Sequence, residues 1–306
     1  MSKARKIADL LDANGDVKLG HLDNVAGSAK NLIINGGMKI SQRGDYTSAT
    51  SITNGNYYLD RFAPYRNGAS ATVQQTDVTI NGVNKKAIKV VATTTSTGYI
   101  GFYQSIELQN IPVGKTLIVS CWVRSNNSNT RFRTNDFRGV DTDGTAFTND
   151  GNWEKVSWTF DSSSTTSNPT IWLITYNGGS VSVTSGDYLE VADLQLELGS
   201  VATDFEQRSY GEELALCQRY YEISAPANKN RYSMNIGNSA SNHYPTVPFK
   251  VTKSGIPTVT ITNDYNDNLT INGHSASTES FFMYVGNSGV NSRSLVEYHW
   301  TAQAEL

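Results

Sequence analysis

Cysteine, charge and long apolar runs are all scarce in this chain, and each scarcity removes a class of protein. Of 306 residues only two are cysteines, Cys121 and Cys217. Cys121 alternates with Val119 and Val123, and Cys217 follows Leu214 and Ala215, so both read as buried thiols and not as a disulfide framework. No run approaches the roughly 18 apolar residues of a membrane-spanning helix, and MSKARKIADLLD lacks the apolar core of a secretory signal. Charged residues make up 17% of the chain, against about 25% in an average globular protein. The net charge is -3, and Lys and Arg are scattered apart from Lys3, Arg5 and Lys6. There is no basic field for a nucleic-acid backbone. The expectation is a protein with no nucleic-acid partner and no membrane insertion.

Catalytic signatures are missing as well. GxSxG, HExxH, a Walker-type loop and CxxC do not occur, and His21, His243, His274 and His299 stand far apart without ligand spacing. No catalytic residue and no cofactor is expected. Glu190, Asp193 and Glu197 come nearest to the paired carboxylates of glycoside hydrolysis, with Asp193 and Glu197 on one face of a strand. Charges of a strand facing solvent explain that pattern without further assumption.

What is abundant is Gly, Ser, Thr and Asn between short alternating apolar segments. Candidate strands run over 32–42, 57–62, 71–80, 86–91, 100–108, 116–124, 130–137, 153–160, 170–176 and 188–198. Ten short strands without a helix between them argue for two packed antiparallel sheets. Val156, Trp158 and Phe160 read as one core triplet. In the last strand Ala192, Leu194, Leu196 and Leu198 share one face and Asp193, Gln195 and Glu197 the other, while Leu189 and Val191 are out of phase with them, which predicts a bulge near Val191.

Gly199 breaks that strand. The run 210–217 then reads as a short helix, with Glu212 and Glu213 toward its positive end. Further strands are expected over 218–223, 232–236, 244–251, 258–263, 269–272, 280–285 and 294–302, with Pro245, Pro248 and Pro257 at strand ends or edges. The fold class is therefore all-β: a jelly-roll-like antiparallel β-sandwich over 31–208, followed by a smaller C-terminal β-domain over 209–306. Residues 1–30 hold a short helical segment, 3–11, with Ile7, Leu10 and Leu11 apolar. It is too short to be stable alone and so suits attachment or oligomerisation. Asp12, Asn14 and Asp16 fail as a calcium loop, since the glycine falls fourth and no glutamate is twelfth.

Some aromatic side chains fall outside the core alternation. If Leu117, Val119, Cys121 and Val123 face the core, Trp122 and Arg124 lie on the opposite face. Trp172 and Tyr176 alternate with Ile171 and Leu173, and Tyr103 with Phe102. An exposed flat ring beside an arginine suits the apolar face of a sugar, and the same rings would suit a subunit interface. Trp122, Arg124, Trp172, Tyr103 and Tyr176 are the candidate carbohydrate-binding residues.

The segment DYLEVADLQLELGSVATDFEQRSYGEELALCQRYYEI, 187–223, joins the two domains. It resembles a recurrent segment of tailed-bacteriophage tail-fibre and related virion proteins, in which a carbohydrate-binding-module-like sandwich ends in such a strand and is followed by RSYGEELALCQRYY. NLIINGGMKISQRG at 31–44, GNYYLDRF at 55–62 and WTAQAEL at 300–306 are similar to other parts of the same fibres. The resemblance implies a structural virion component near the host-contacting end of a tail or fibre, made in the host cytoplasm. The missing catalytic signatures make the expectation non-enzymatic, with a carbohydrate-binding or spacer module that lacks the primary receptor site as the alternative and a polysaccharide depolymerase as the less favoured one. The resemblance further implies a homotrimer that meets other phage tail or virion proteins through its N-terminus and a bacterial surface glycan or receptor at its tip. Loops 228–231, 238–244, 263–268 and 286–293 are the candidate receptor contacts. Related modules often hold a structural calcium between an NGGFE opening and an acidic residue of the closing strand, for which Asp193 is the match. Here NGGMK puts Lys39 at the glutamate position. The implied outcome is a lost metal site and a Lys39–Asp193 pair in its place.

Overall fold

The computed structural model describes residues 30–107, 110–111, 113–135, 142–162, 169–224, 232–236, 243–267, 269–287 and 294–306. The N-terminal segment, His21 and most of the candidate receptor loops 228–231, 238–244 and 286–293 lie outside the described residues.

Two antiparallel sheets form the first domain. One has the order β1 (Thr50–Ser51), β3 (Ala71–Ile80), β4 (Val83–Ala92), β12 (Tyr188–Leu198), β6 (Thr116–Ser125) and β9 (Glu154–Asp161). The other runs β11 (Val181–Val183), β5 (Ser96–Ser105), β10 (Thr170–Thr175), β7 (Thr130–Asn135) and β8 (Thr142–Asp143), with β2 (Ala63–Asn67) also paired to β5. Alternation decides the packing. Val73, Ile88, Val90, Leu117, Val119, Cys121 and Val123 point inward from the first sheet, and Ile100, Phe102, Phe132, Ile171 and Leu173 from the second. Trp158 and Phe160 of the edge strand β9 are only partly buried against this core, so they flank it and do not form its centre.

The closing strand β12 departs from the expected phase. Ala192 pairs with Trp122 and Gln195 with Ser120, so an extra residue is accommodated between them, and Asp193 takes a left-handed φ of 53°. The bulge thus lies beyond Val191. Val191, Leu194 and Leu196 face the core while Ala192 joins Ile80 and Ala87 on the outer face, which separates Ala192 from the leucines it was expected to accompany. A bulge leaves ladder groups unpaired, and segment 31–37, which ends in the NGG turn, takes them up. Leu194 N–H donates to Gly36 O at 3.0 Å and Asn31 Nδ2 to Leu194 O at 3.1 Å. A Cβ on Gly36 would collide with the Leu194 carbonyl.

That docking explains why 32–42 is not a strand. Asn35 and Met38 have φ of 62° and 55°, and Asn35 Nδ2 donates to the carbonyls of Ile40 and Asp60 at 2.9 Å each. Segment 57–62 is irregular too, with Arg61 at φ 71°. Both segments are apolar because Ile33, Met38, Ile40, Leu59 and Phe62 are buried, not because they belong to a ladder.

Helix α1 (Tyr210–Gln218) begins at Ser209 in a capping box with Glu212. The C-terminal domain pairs β13 (Tyr221–Ile223), β14 (Tyr232–Ile236) and β16 (Thr258–Asp267) with β19 (Ser294–Gln303), and stacks these on β15 (Thr246–Pro248), β18 (Ser280–Asn287) and β17 (Leu269–Ala276). Pro245 and Pro257 immediately precede strands and Pro248 ends one, where a missing N–H costs nothing in the ladder. Trp300 is the centre of this second core, 5.2 Å from Phe281 and 5.7 Å from Phe249 between ring centroids. Trp300→Ala is expected to cost about 3–5 kcal/mol, and Trp158→Ala, at the half-buried edge, clearly less. Urea unfolding of the two variants checks the order.

Candidate functional site

The outward side of the second sheet carries a run of aromatic rings. In β5, Ile100 and Phe102 point into the core, so Tyr99, Gly101 and Tyr103 point out. Register brings Trp172 opposite Tyr103 and Arg133 opposite Trp172, and Tyr65 opposite Gly101. A Cβ on Gly101 would run into the Leu173–Ile174 backbone, so glycine permits this close strand approach. Tyr103 and Trp172 have ring centroids 4.3 Å apart, Tyr65 and Trp172 5.6 Å, Tyr65 and Tyr99 5.8 Å, and Tyr99 and Tyr176 6.0 Å. All five rings are partly exposed. Trp172 Nε1 donates to Thr170 Oγ1 at 2.9 Å, which orients the indole. The Arg133 guanidinium lies 4.2 Å from the Tyr176 ring centroid and 3.5 Å from Asp143 Oδ1.

Three of the five candidate residues, Tyr103, Trp172 and Tyr176, therefore sit together. Trp122 and Arg124 do not join them, because β6 belongs to the other sheet. Trp122 packs on Ile80, Ala87 and Ala192, while Arg124 Nη2 is 2.6 Å from Glu190 Oε2 and stacks on Trp153. Tyr65 and Tyr99 are members of the face that the sequence reading missed. The alternation of STGYIGFYQS placed Tyr99 beside Tyr103, but the short APYRN segment set no phase for Tyr65.

The carboxylates of β12 are not solvated charges. Glu190, Asp193 and Glu197 are all buried, and segment 203–206 folds over the Glu197 end of this face, where Thr203 N–H donates to Glu197 at 3.1 Å. Glu190 accepts from Thr76 Oγ1 at 2.5 Å as well as from Arg124. Asp193 pairs with Lys85 Nζ at 2.6 Å. Lys39, expected to hold Asp193, instead reaches Gln207 at 3.3 Å; the bulge turns Asp193 toward Lys85 on β4. A cavity of about 300 Å³ beside this pair is lined by Trp122, Lys155 and Asp204 among others. Among the described residues no group of three or more His, Cys, Asp or Glu side chains could hold a metal. Both thiols are free and buried, and burial pushes their pKa values well up.

Where the second sheet ends, the domains meet in a buried charge network. Glu305 of the C-terminal domain is 2.8 Å from Arg43 and also accepts from Arg61. Arg43 contacts Asp60 at 3.3 Å and lies 3.8 Å over the Tyr221 ring. Arg61 donates to Ser105 O at 2.5 Å and lies 3.5 Å over Tyr220. Tyr220 Oη donates to Glu107 at 2.6 Å. Burial raises the Asp60 carboxyl pKa.

No family model matches the chain, and no curated protein matches it. Among solved structures it is similar to the enzymatically active domain of tailspike protein 4 from bacteriophage CBA120, with 13% identity, a TM-score of 0.39, and coverage of 55% of this chain but 21% of that one. It is also similar to TmCBM61, solved with β-1,4-galactotriose, at 14% identity and TM-score 0.31 over 56% of this chain and 100% of that one. The CBM22-1 xylan-binding domain of Paenibacillus barcinonensis Xyn10C gives 13% identity and TM-score 0.32, covering 58% and 100%.

The seam makes stability sensitive to high pH. Burial is the largest cause that raises the phenol pKa of Tyr57, Tyr220, Tyr221 and Tyr103 above the ordinary 10.0. Unfolded tyrosines ionise first, so this stabilisation is complete below their ordinary pKa and is lost as pH rises toward the folded values. The urea midpoint is expected to fall between about pH 10 and 12, with phenolate absorbance rising together with unfolding and not ahead of it.

Proposed function

We propose that this chain is a non-enzymatic bacteriophage virion protein of the tail fibre or tail tip that holds a host-surface glycan on the aromatic face of its first domain. The observation that carries the reading is the continuous run Tyr99, Tyr65, Trp172 and Tyr103, with neighbouring ring centroids 4.3 to 5.8 Å apart. The ring planes differ, by 15° between Tyr65 and Tyr99, 87° between Tyr65 and Trp172 and 36° between Trp172 and Tyr103. The partly exposed rings therefore offer separate apolar surfaces to sugars and not one flat platform, and flanking Arg133 and Thr170 supply hydrogen-bonding groups. Segment 187–223 supports the virion assignment through its resemblance to tail-fibre proteins, and that resemblance also favours a homotrimer attached through the N-terminal segment. A binding role without turnover is supported by the carboxylates of β12, which are each held by a hydroxyl or a cation on the outer face of the other sheet. In this reading the sandwich contacts sugar, and the C-terminal loops are left for other receptor contacts.

A glycan array probed with the intact chain tests this. Trp172→Ala is expected to lower affinity roughly tenfold or more, Trp122→Ala to leave it unchanged, and no reducing ends to be released. Equal loss in both variants would remove the site from the second sheet, and released sugar would make the protein an enzyme. Light scattering should exceed the 33.5 kDa of one chain; a monomer at micromolar concentration argues against the trimer.

A further inference from the structure

The aromatic face does not stop at the edge of its sheet. The outward row of β5 runs Tyr99, Gly101, Tyr103 and Ser105, and the Ser105 carbonyl accepts from Arg61, which also holds Glu305. Glu305 therefore stands at the end of the row that carries the rings. Tyr57 bridges the same point from the side: its hydroxyl is 3.5 Å from the Leu306 carbonyl, and its ring is 5.2 Å from the Arg43 guanidinium. Electrostatic effects of Glu305 reach the phenols of both Tyr57 and Tyr103.

On the far side of Glu305 lies a cavity of about 300 Å³ lined by Thr258, Thr260, Thr301, Gln303 and Glu305. Its walls are cross-strand neighbours of β16 and β19, with Thr258 opposite Gln303 and Thr260 opposite Thr301. These side chains present three hydroxyls and a carboxamide. The one ionised group, Glu305, is already neutralised by Arg43 and Arg61. Such a lining offers hydrogen bonds to hydroxyl groups, gives little to an apolar ligand, and has no free cation for a polyanion.

We infer that the rings of the first domain and the threonine and glutamine cavity of the C-terminal domain form one groove across the junction, which takes a neutral linear oligosaccharide longer than the rings alone accommodate. Tyr103 and Trp172 stack its sugars at one end, Tyr57 forms the crossing, and Thr260, Thr301 and Gln303 hydrogen-bond its hydroxyls at the other. The inference rests on the glycan-binding reading above and adds the ligand's charge class and its length dependence.

The test is an array of neutral linear glucan, galactan, mannan and xylan oligosaccharides from two to six units, probed with the full chain. For a series that binds, affinity is expected to rise roughly tenfold from the shortest to the longest member. The Thr260→Ala, Gln303→Ala double variant should keep the affinity for two units and lose the rise, whereas Trp172→Ala should lose binding at every length. Both cavity positions are exposed on strands, and a melting curve checks that the fold is retained. A rise unchanged in the double variant overturns the composite groove and leaves the glycan-binding reading standing. A double variant that alters the oligomeric mass instead would make this face a subunit contact and also overturns it. Absence of binding by the wild-type chain on this array overturns the neutral-ligand inference, and the glycan-binding reading itself falls only if the general glycan array is silent as well.

Discussion

Glu305 is gripped by Arg43 and Arg61 in a seam where all three side chains are at least nine-tenths buried. A lone carboxylate there would cost several kcal/mol in lost hydration, and so would either guanidinium. Each domain thus supplies a charge that the other must neutralise. Arg43 is shared with Asp60, and both guanidiniums lie over tyrosine rings of the linking segment. The requirement reaches back into the local backbone. Arg61 takes a left-handed conformation that costs roughly 1–3 kcal/mol in a non-glycine residue, and from it the side chain meets Glu305, Ser105 and Tyr220 at once.

The same logic continues below the seam. Lys253 donates to Glu222 Oε2 at 2.5 Å and to the last carbonyl of α1, that of Gln218, at 2.6 Å. Burial lowers the Lys253 pKa, with Glu222 working against it. Arg219 and Tyr220, just after the helix, share Glu107 of the first domain. Buried pairs of this kind add less to net stability than their short distances suggest, but they admit few alternative arrangements. The junction is consequently held by directional contacts from α1, β13, the 40–62 segment and the chain end. A ligand face crossing a junction needs this, because a hinge there would misalign its two halves.

Period-two alternation made most of the first domain legible, since the inward residues in the middle of β5, β6 and β10 are apolar; the exceptions, Gln104, Ser125 and Thr175, lie at the strand ends, where they are buried and hydrogen-bonded. It failed where burial and strand pairing separate. Segments 32–42 and 57–62 are as apolar as strands, yet their positive φ values at Asn35, Met38 and Arg61 serve tertiary hydrogen bonds that no local pattern encodes. The bulge at Asp193 was visible as a phase conflict, but which residue absorbs it depends on the NGG turn more than 150 positions away. Site residues show the same division. Alternation states that Trp122 and Trp172 both leave the core; it does not state which sheet each strand enters, and that alone separates them. Tyr65 joins the rings through the pairing of β2 with β5, a contact between segments whose order in the sheet is set by topology.

Charge usage connects these observations to recognition. The chain has few charged residues, and many of its carboxylates, Asp60, Glu107, Glu190, Asp193, Glu222 and Glu305 among them, are consumed in buried pairs. What is left for contact on the two candidate faces is mainly rings, hydroxyls and carboxamides. Such groups discriminate by shape and stacking more than by field, so their contacts gain little from long-range steering and lose little to salt. Each face alone would bind weakly, because neutral hydrogen bonds to a hydrated sugar return only about 0.5–1.5 kcal/mol net. In an oligomer presenting several copies to a repetitive surface polymer, the second contact becomes intramolecular and avidity rises steeply without any stronger site. Weak neutral faces are consistent with the proposed oligomeric virion role, in which the interaction strength that each site lacks would come from the number of copies.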